Sequence, residues 1–265
     1  MKTALTIAGS DCSGGAGIQA DLKTFAAFGV YGMSAITAVV VENTIGVQAV
    51  FDLPLNVIAA QICSVMDDIG TDAVKIGMLS SSEIVRVVAE LIKKYDIKTV
   101  VIDPVMVAKS GDALLAEDAR AVLKHELLPL ATVLTPNLPE AEVLLGREIR
   151  TLAEMRLAAA DLVKLGAKAV VVKGGHRTSE DDAVDVLFDG IDYLEMATPF
   201  IDTRNTHGTG CTFSSAIAAG LAKGLSVAEA VRRAKEYITA AITDSLNIGH
   251  GYGPTNHLTG VKSVW

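Results

Sequence analysis

The chain has 265 residues, half of them hydrophobic and only 5% aromatic, with a formal net charge of -8. Those figures suit a large α/β core of Val, Ile, Leu and Ala, and the acidic balance without a Lys/Arg cluster argues against nucleic acid or an anionic membrane as partner. Cys12, Cys63 and Cys211 are odd in number and widely spaced, which suggests neither a zinc site nor a disulfide framework.

The opening stretch MKTALTIAGSD carries one lysine and an apolar run too short for a signal peptide, so it reads as a first strand and a cytosolic location is the expectation. Helical spacing follows from about Gly15 to Phe28, then the β-branched run SAITAVVV, a helix from about Leu55 to Asp68, and the strand AVKI. Ser80 and Glu83 form a capping box for a helix reaching Lys94. Next come TVVID, a helix near Glu117 to Glu126, TVLT, helices around Leu138 to Leu145 and Leu152 to Leu165, and AVVVK. Asp189 and Gly190 then divide two alternating runs, a hairpin signal that predicts an antiparallel edge. The last two helices run from Cys211 to Lys223, ended by Gly224, and from Ser226 to about Ser245. Repeated strand and helix predict one mainly parallel sheet covered on both faces, and no linker or low-complexity run divides residues 1–265.

Ligands of such sheets collect beyond the carboxyl ends of the strands. The residues there are Gly9 and Asp11, Glu42 and Asn43, Gly77 and Met78, Asp103, Asn137 and Glu140, Gly174 and Gly175, and the loop Gly208 to Cys211. GAGIQA, Gly15 to Ala20, fits a dinucleotide fingerprint and keeps an NAD enzyme open, although SDCSG intervenes where the first glycine should follow the strand at once. Glycines that only shape a turn explain the same segment.

Asp103, before Pro104, is held at the sheet rim and suits Mg2+ or phosphate work as well as plain loop capping. Asn137 and Glu140, three apart at a helix start, are hard oxygen ligands for a hydrated magnesium ion, and an acid in a first turn is also ordinary. Lys173 ends a buried strand and either meets a phosphate or snorkels to water. Gly208, Thr209 and Gly210 turn N–H groups toward one point at a helix N-terminus, where the dipole should lower the pKa of Cys211. A cysteine hydrolase with Cys211 as nucleophile and His207 as base stays open, but leaves Asp103, Asn137, Glu140 and Lys173 without a task.

LTIAGSDCSGGAGIQADLKTF, KIGML, DPVMVAKSGD, TPNLPEAEVL, KGGH and NTHGTGCTFSSAIAAGLAKG occur in this order almost end to end. Together they resemble the bifunctional hydroxymethylpyrimidine and phosphomethylpyrimidine kinases of thiamine biosynthesis, a branch of the ribokinase-like superfamily close to pyridoxal kinases. The resemblance implies a three-layer α/β sandwich, a homodimer, a small-molecule substrate, and ATP with Mg2+. It implies Cys211, where most of the superfamily carries Asp, as catalytic base beside the Gly208, Thr209 and Gly210 anion hole. It maps the pyrimidine site onto Gly9, Glu42, Met78, Val105 and Cys211, with Asp21 and Lys23 matching at helix positions that a solvated face explains equally well. The ATP site maps onto Asn137, Glu140, Lys173, Thr206, Gly208 and Gly210, and the metal site onto Asp103 and Glu140. One departure is Glu42, where enzymes dedicated to the pyrimidine usually carry Gln, so pyridoxine or pyridoxal is the alternative substrate.

Overall fold

The computed structural model describes residues 1–107, 111, 114–175 and 182–261. His176 of the KGGH motif and residues 108–110 and 112 of the DPVMVAKSGD motif lie outside the described residues. Among the described residues, nine strands form one sheet in the order β3-β2-β1-β4-β5-β6-β7-β8-β9. Its centre is parallel: β1 (Thr3–Asp11) lies between β2 (Tyr31–Glu42) and β4 (Ala73–Ile76), followed by β5 (Val100–Ile102), β6 (Val133–Leu134) and β7 (Ala169–Val172). Every residue of β4 to β7 is buried, the pattern of strands covered on both faces.

One face is covered by α2 (Leu55–Asp68), α3 (Ser82–Lys94), α4 (Glu117–Val122), α5 (Leu138–Leu145) and α6 (Leu152–Lys164), which contribute Ile58, Val85, Ala119, Leu144 and Met155 to a single apolar cluster. The other is covered by α1 (Gly17–Ala27), α7 (Thr209–Ala222) and α8 (Val227–Thr243), through Phe25, Phe213, Ile217 and Ala234. The alanine run of α7 is thereby explained: small side chains let a nearly all-buried helix sit between the sheet and its two neighbours.

The predicted hairpin is β8 (Ala183–Phe188) with β9 (Tyr193–Thr198), antiparallel to β7. A second antiparallel edge, β3 (Val47–Asp52) on β2, was not expected, because its sequence VQAVFD is largely exposed and lacks a clean alternation. Three boundaries shift. Ser81, not Ser80, caps α3 by accepting from the Ile84 N–H, while Ser80 donates to Asp52 at 2.6 Å. The helix expected to reach Glu126 leaves α geometry after Val122 for a wider π turn over Leu123–Leu127. Helix α7 starts at Thr209, which puts Cys211 inside its first turn. Its cap, Gly208, has φ 79°, and a Cβ there would overlap the Gly15 carbonyl oxygen, so the turn ahead of α7 is locked against the loop after β1.

Candidate active site

The carboxyl ends of β1, β2, β4, β5, β6 and β7 open, together with the start of α7, into one cavity of about 700 Å³. Gly9, Glu42, Met78, Asp103, Val105, Asn137, Glu140, Lys173, Thr206 and the run Gly208 to Cys211 all line it. Residues far apart in sequence are therefore brought together as the sheet-end rule predicts.

At the centre, the Lys173 ammonium donates to Asp103 at 2.8 Å, with the Thr135 hydroxyl at 3.3 Å on the same carboxylate oxygen. Gly210 packs against this pair, since a Cβ there would stand 3.2 Å from Asp103 Oδ2 and 3.4 Å from Lys173 Nζ. Burial works against the Lys173 charge, but the Asp103 and Glu140 carboxylates outweigh it and raise its pKa, so this lysine stays an ammonium. Asn137 caps α5 by accepting from the Glu140 N–H at 2.9 Å, and Glu140 returns by accepting from the Asn137 N–H at 2.7 Å. Burial pushes the Glu140 carboxyl up to about 7, with Lys173 opposing the shift and Asp103 adding to it. The side chain expected to serve the metal is thus also the returning half of a helix cap.

The first turn of α7 borders the same pair. Helix geometry leaves its early N–H groups without intrahelical partners; Thr209 N–H is bonded to the Thr206 carbonyl at 3.3 Å. Cys211 departs from expectation: burial pushes its thiol up to about 12, against Lys75, with the Asp21 and Asp103 carboxylates adding to the rise. Desolvation of a thiolate outweighs the helix dipole here.

Asp21 does not reach the cavity and is not on a solvated face. Its fully buried carboxylate accepts from Thr6 at 2.6 Å, Ser215 at 2.7 Å and Lys75 at 2.9 Å. Lys75, the middle of AVKI, went unread in the sequence. A lysine inside a four-residue buried strand was the available signal, because such a charge persists only with a partner. Asp185 and Lys235, paired at 2.8 Å where β8 meets α8 and lining the far end of the cavity, carried no local signal at all.

At the opposite end, Met78 and Val105 pack with Val40, and Gly9 leaves room for the Met78 methyl, which a Cβ would approach to 2.8 Å. Glu42 is the polar member of this apolar wall.

The two competing readings fail on particular contacts. The N–H groups of Gly15 and Ala16 at the start of α1, which a dinucleotide phosphate would need, are taken by the Asp11 carboxylate at 2.9 and 2.7 Å. His207 is paired through Nε2 with Asp11 at 2.8 Å, not with Cys211, so no Cys–His couple forms.

The family profile described as phosphomethylpyrimidine kinase matches residues 11–256. The hydroxymethylpyrimidine/phosphomethylpyrimidine kinase of Bacillus subtilis is 48% identical over 254 residues, covering 96% of this chain and 94% of that one. The structure of a Bacillus subtilis pyridoxal kinase in complex with ADP superposes with a TM-score of 0.91 at 49% identity, covering 97% and 98% of the two chains. The Staphylococcus aureus pyridoxal kinase in complex with AMP-PCP and pyridoxal gives a TM-score of 0.89 at 38% identity, covering 97% and 93%. Near-complete coverage at this identity, on a fold whose strand ends converge on one cavity, establishes that the chain belongs to the phosphomethylpyrimidine kinase family.

Proposed function

We propose that the chain is an ATP-dependent kinase that phosphorylates the hydroxymethyl group of 4-amino-5-hydroxymethyl-2-methylpyrimidine and then the resulting monophosphate, in thiamine biosynthesis. The observation that carries this reading is the single cavity in which the first turn of α7 meets the Asp103–Lys173 pair, with an apolar wall for a ring at one end. A transferred phosphoryl group is stabilised mainly by positioning and charge, which N–H groups and a fixed ammonium supply.

Gly208, Thr209, Gly210 and Cys211 border the reacting phosphate in this reading, and Lys173 adds positive charge. Asn137 and Thr206 line the ATP side. Met78, Val105 and Gly9 seat the ring, and Glu42 contacts its polar edge. Asp21 acts through Lys75 and not on the substrate.

Cys211 is the proposed acceptor of the hydroxyl proton. As a thiol its sulfur accepts a hydrogen bond and orients the hydroxyl; as a thiolate it takes the proton, and Lys75 is the buried counter-charge for that form. The residues present fit Mg2+. Lys173 is bonded to Asp103 and also faces Glu140, and the Glu140 carboxyl, raised to about 7 by burial first and by Asp103 in addition, is one whose ionised form a dication would favour. Both carboxylates of Asp103 and Glu140 would hold the ion, Glu140 through water because its cap already engages it. When bound, magnesium neutralises phosphate charge.

The reading includes one kinase domain over the whole chain and a cytosolic location; among the described residues no helix is long and apolar enough to cross a membrane. It also includes a homodimer, supported by exposed Val39, Val41, Val50 and Phe51 on the β2–β3 edge. Pyridoxal phosphorylation is the second reading, favoured by the 0.89 superposition on the pyridoxal complex. A coupled assay of ADP release with the pyrimidine, its monophosphate, pyridoxine and pyridoxal tests all of this. Turnover of the pyrimidine and its monophosphate above both vitamin B6 compounds is expected. Preference for pyridoxal replaces the substrate, and no turnover with any of the four sinks the reading.

A further inference from the structure

At the ring end of the cavity one imidazole stands among two carboxyl groups. Asp11 and Glu42 are the last residues of the neighbouring parallel strands β1 and β2, and His207 enters from the segment ahead of α7. Polar atoms of the three lie within 4.8 Å of one another. Asp11 is fully buried and accepts from Ser13 N–H at 2.7 Å, Gly15 N–H at 2.9 Å, Ala16 N–H at 2.7 Å and His207 Nε2 at 2.8 Å. That many donors fix it as a carboxylate and hold His207 as its imidazolium. The single cation is therefore already paired, and Glu42, half-buried, faces the Asp11 charge with no cation of its own among the described residues.

We propose that the Asp11 carboxylate, held in its charged form by its loop N–H donors and by His207, acts with burial as a positioning device that leaves a large share of Glu42 protonated at neutral pH, so that the protonated form meets the substrate ring as a combined donor and acceptor and not as an anion. A neutral carboxyl group offers one O–H and one carbonyl, the complement of an amino group beside an unprotonated ring nitrogen, whereas an ionised one can only accept. This ring assignment rests on the function proposed above; the placement of the proton does not. Burial first, and the Asp11 carboxylate second, push the Glu42 carboxyl up to about 7, with His207 opposing. The pair itself behaves as the contacts require: burial disfavours both charges, yet Asp11 is lowered through its bonds to His207, Ser13 and Ala16, and His207 is raised by Asp11.

Among the described residues, the other ionisable groups around this corner are few. The Cys12 thiol donates to the Glu42 backbone carbonyl at 3.1 Å, Tyr252 lines the same cavity, and His257 and Lys23 lie across the pair, Lys23 donating to the Gly14 carbonyl at 2.7 Å. His257 is pushed down to about 4 by burial, with Lys23 and His207 adding to the shift, so it brings no charge at neutral pH.

Carbon-13 NMR of ligand-free protein labelled at glutamate carboxyls reads the proton directly, with Glu42→Gln assigning the resonance. The parent should titrate near pH 7. Asp11→Asn keeps a side-chain oxygen for the loop N–H groups but deletes the charge, and should lower the midpoint by roughly one pH unit or more. His207→Gln removes the opposing cation and should raise it, an opposite sign that a general loosening of the loop would not produce. A parent midpoint below about 5, within one unit of an ordinary glutamate, overturns the proposal, as does a midpoint that neither variant moves.

Binding of the pyrimidine from pH 6 to 9, followed by calorimetry, tests the use of the proton. The dissociation constant should rise by roughly tenfold per pH unit above about 7 in the parent and stay flat in Glu42→Gln. Asp11→Asn should shift that rise to lower pH in the parent background only. A flat parent curve overturns the ring recognition. Absence of pyrimidine binding at every pH overturns it too and strikes the proposed substrate, while the ligand-free titration still decides where the proton sits.

Discussion

Replacing Lys75 by Met removes the buried ammonium beneath the cleft while keeping most of the side chain's length and apolar bulk. Lys75 and Asp21 are both fully buried and 2.9 Å apart, and Asp21 retains only the Thr6 and Ser215 hydroxyls once the ammonium is gone. Breaking a buried pair from one side costs roughly 3–5 kcal/mol, a large part of a domain stability of roughly 5–15 kcal/mol. Urea unfolding measures the loss. Asp21→Asn should cost a similar amount, and the double variant should cost less than the sum by roughly 2 kcal/mol or more, because no orphan charge remains. The same substitution removes the group that opposes burial at Cys211. Alkylation of Cys211 against pH, in a background with Cys12 and Cys63 changed to Ser, should therefore show the thiol ionising at still higher pH. A Lys75→Met protein within about 1 kcal/mol of the parent, with its thiol titration unmoved, refutes the reasoning.

Cys211→Ala should lower turnover by roughly 10² to 10⁴, and Cys211→Asp should retain more than the alanine variant; turnover of the alanine variant within about a factor of two of the parent removes Cys211 as proton acceptor. Glu140→Gln should raise the magnesium concentration needed for half-maximal turnover, and an unchanged magnesium titration excludes Glu140 from the metal site. Because the folded-state carboxyl of Glu140 is raised from 4.5 to about 7, its favourable contribution is complete below about 4.5 and lost as pH rises through 7. Without magnesium, Glu140→Gln should accordingly gain stability relative to the parent between pH 5 and 8 in thermal unfolding, and a constant difference across that window contradicts the shift. Gly208→Ala should abolish cooperative unfolding or cost more than about 4 kcal/mol, since φ is 79° and the methyl overlaps the Gly15 carbonyl. Gly29→Ala, with φ 66° but no atom within 4 Å of the added carbon, should cost only about 1 kcal/mol; equal losses at the two sites would leave close approach without a role.

Much of the architecture was legible because the central strands bury both faces and their β-branched runs are separated by helices with strong spacing. Helix α2 was read at Leu55 to Asp68, the bounds it has in the structure. Strand β3 was not legible, since an exposed edge strand leaves no buried period to read. The site showed the same division. Asp103, Asn137, Glu140 and Lys173 stand at strand ends or a helix start, where sequence position alone places a side chain at the rim. Asp21 and Lys75 instead find each other across 54 residues, and a helical period cannot report which charge lies opposite. Nor could local sequence give the state of Cys211, because a helix dipole is written in the chain next to the thiol whereas the burial that overrides it comes from the rest of the fold.

Two contacts join the first and last quarters of the chain: the part-buried pair His207 to Asp11 spans 196 residues and the buried pair Ser215 to Asp21 spans 194. Synthesis runs from the other end, at about 5–20 residues per second, so β1 and α1 leave the ribosome roughly 10 to 40 s before the helix that completes them. During that interval Phe25 lacks the apolar cover of α7, and the Asp11 and Asp21 carboxylates lack one donor each. A nascent chain halted before Gly208 thus presents a sheet face without the cover of α7 and a cavity without its α7 wall. The arrival of a late helix is the step that closes both the apolar core on this face of the sheet and the wall of the cavity.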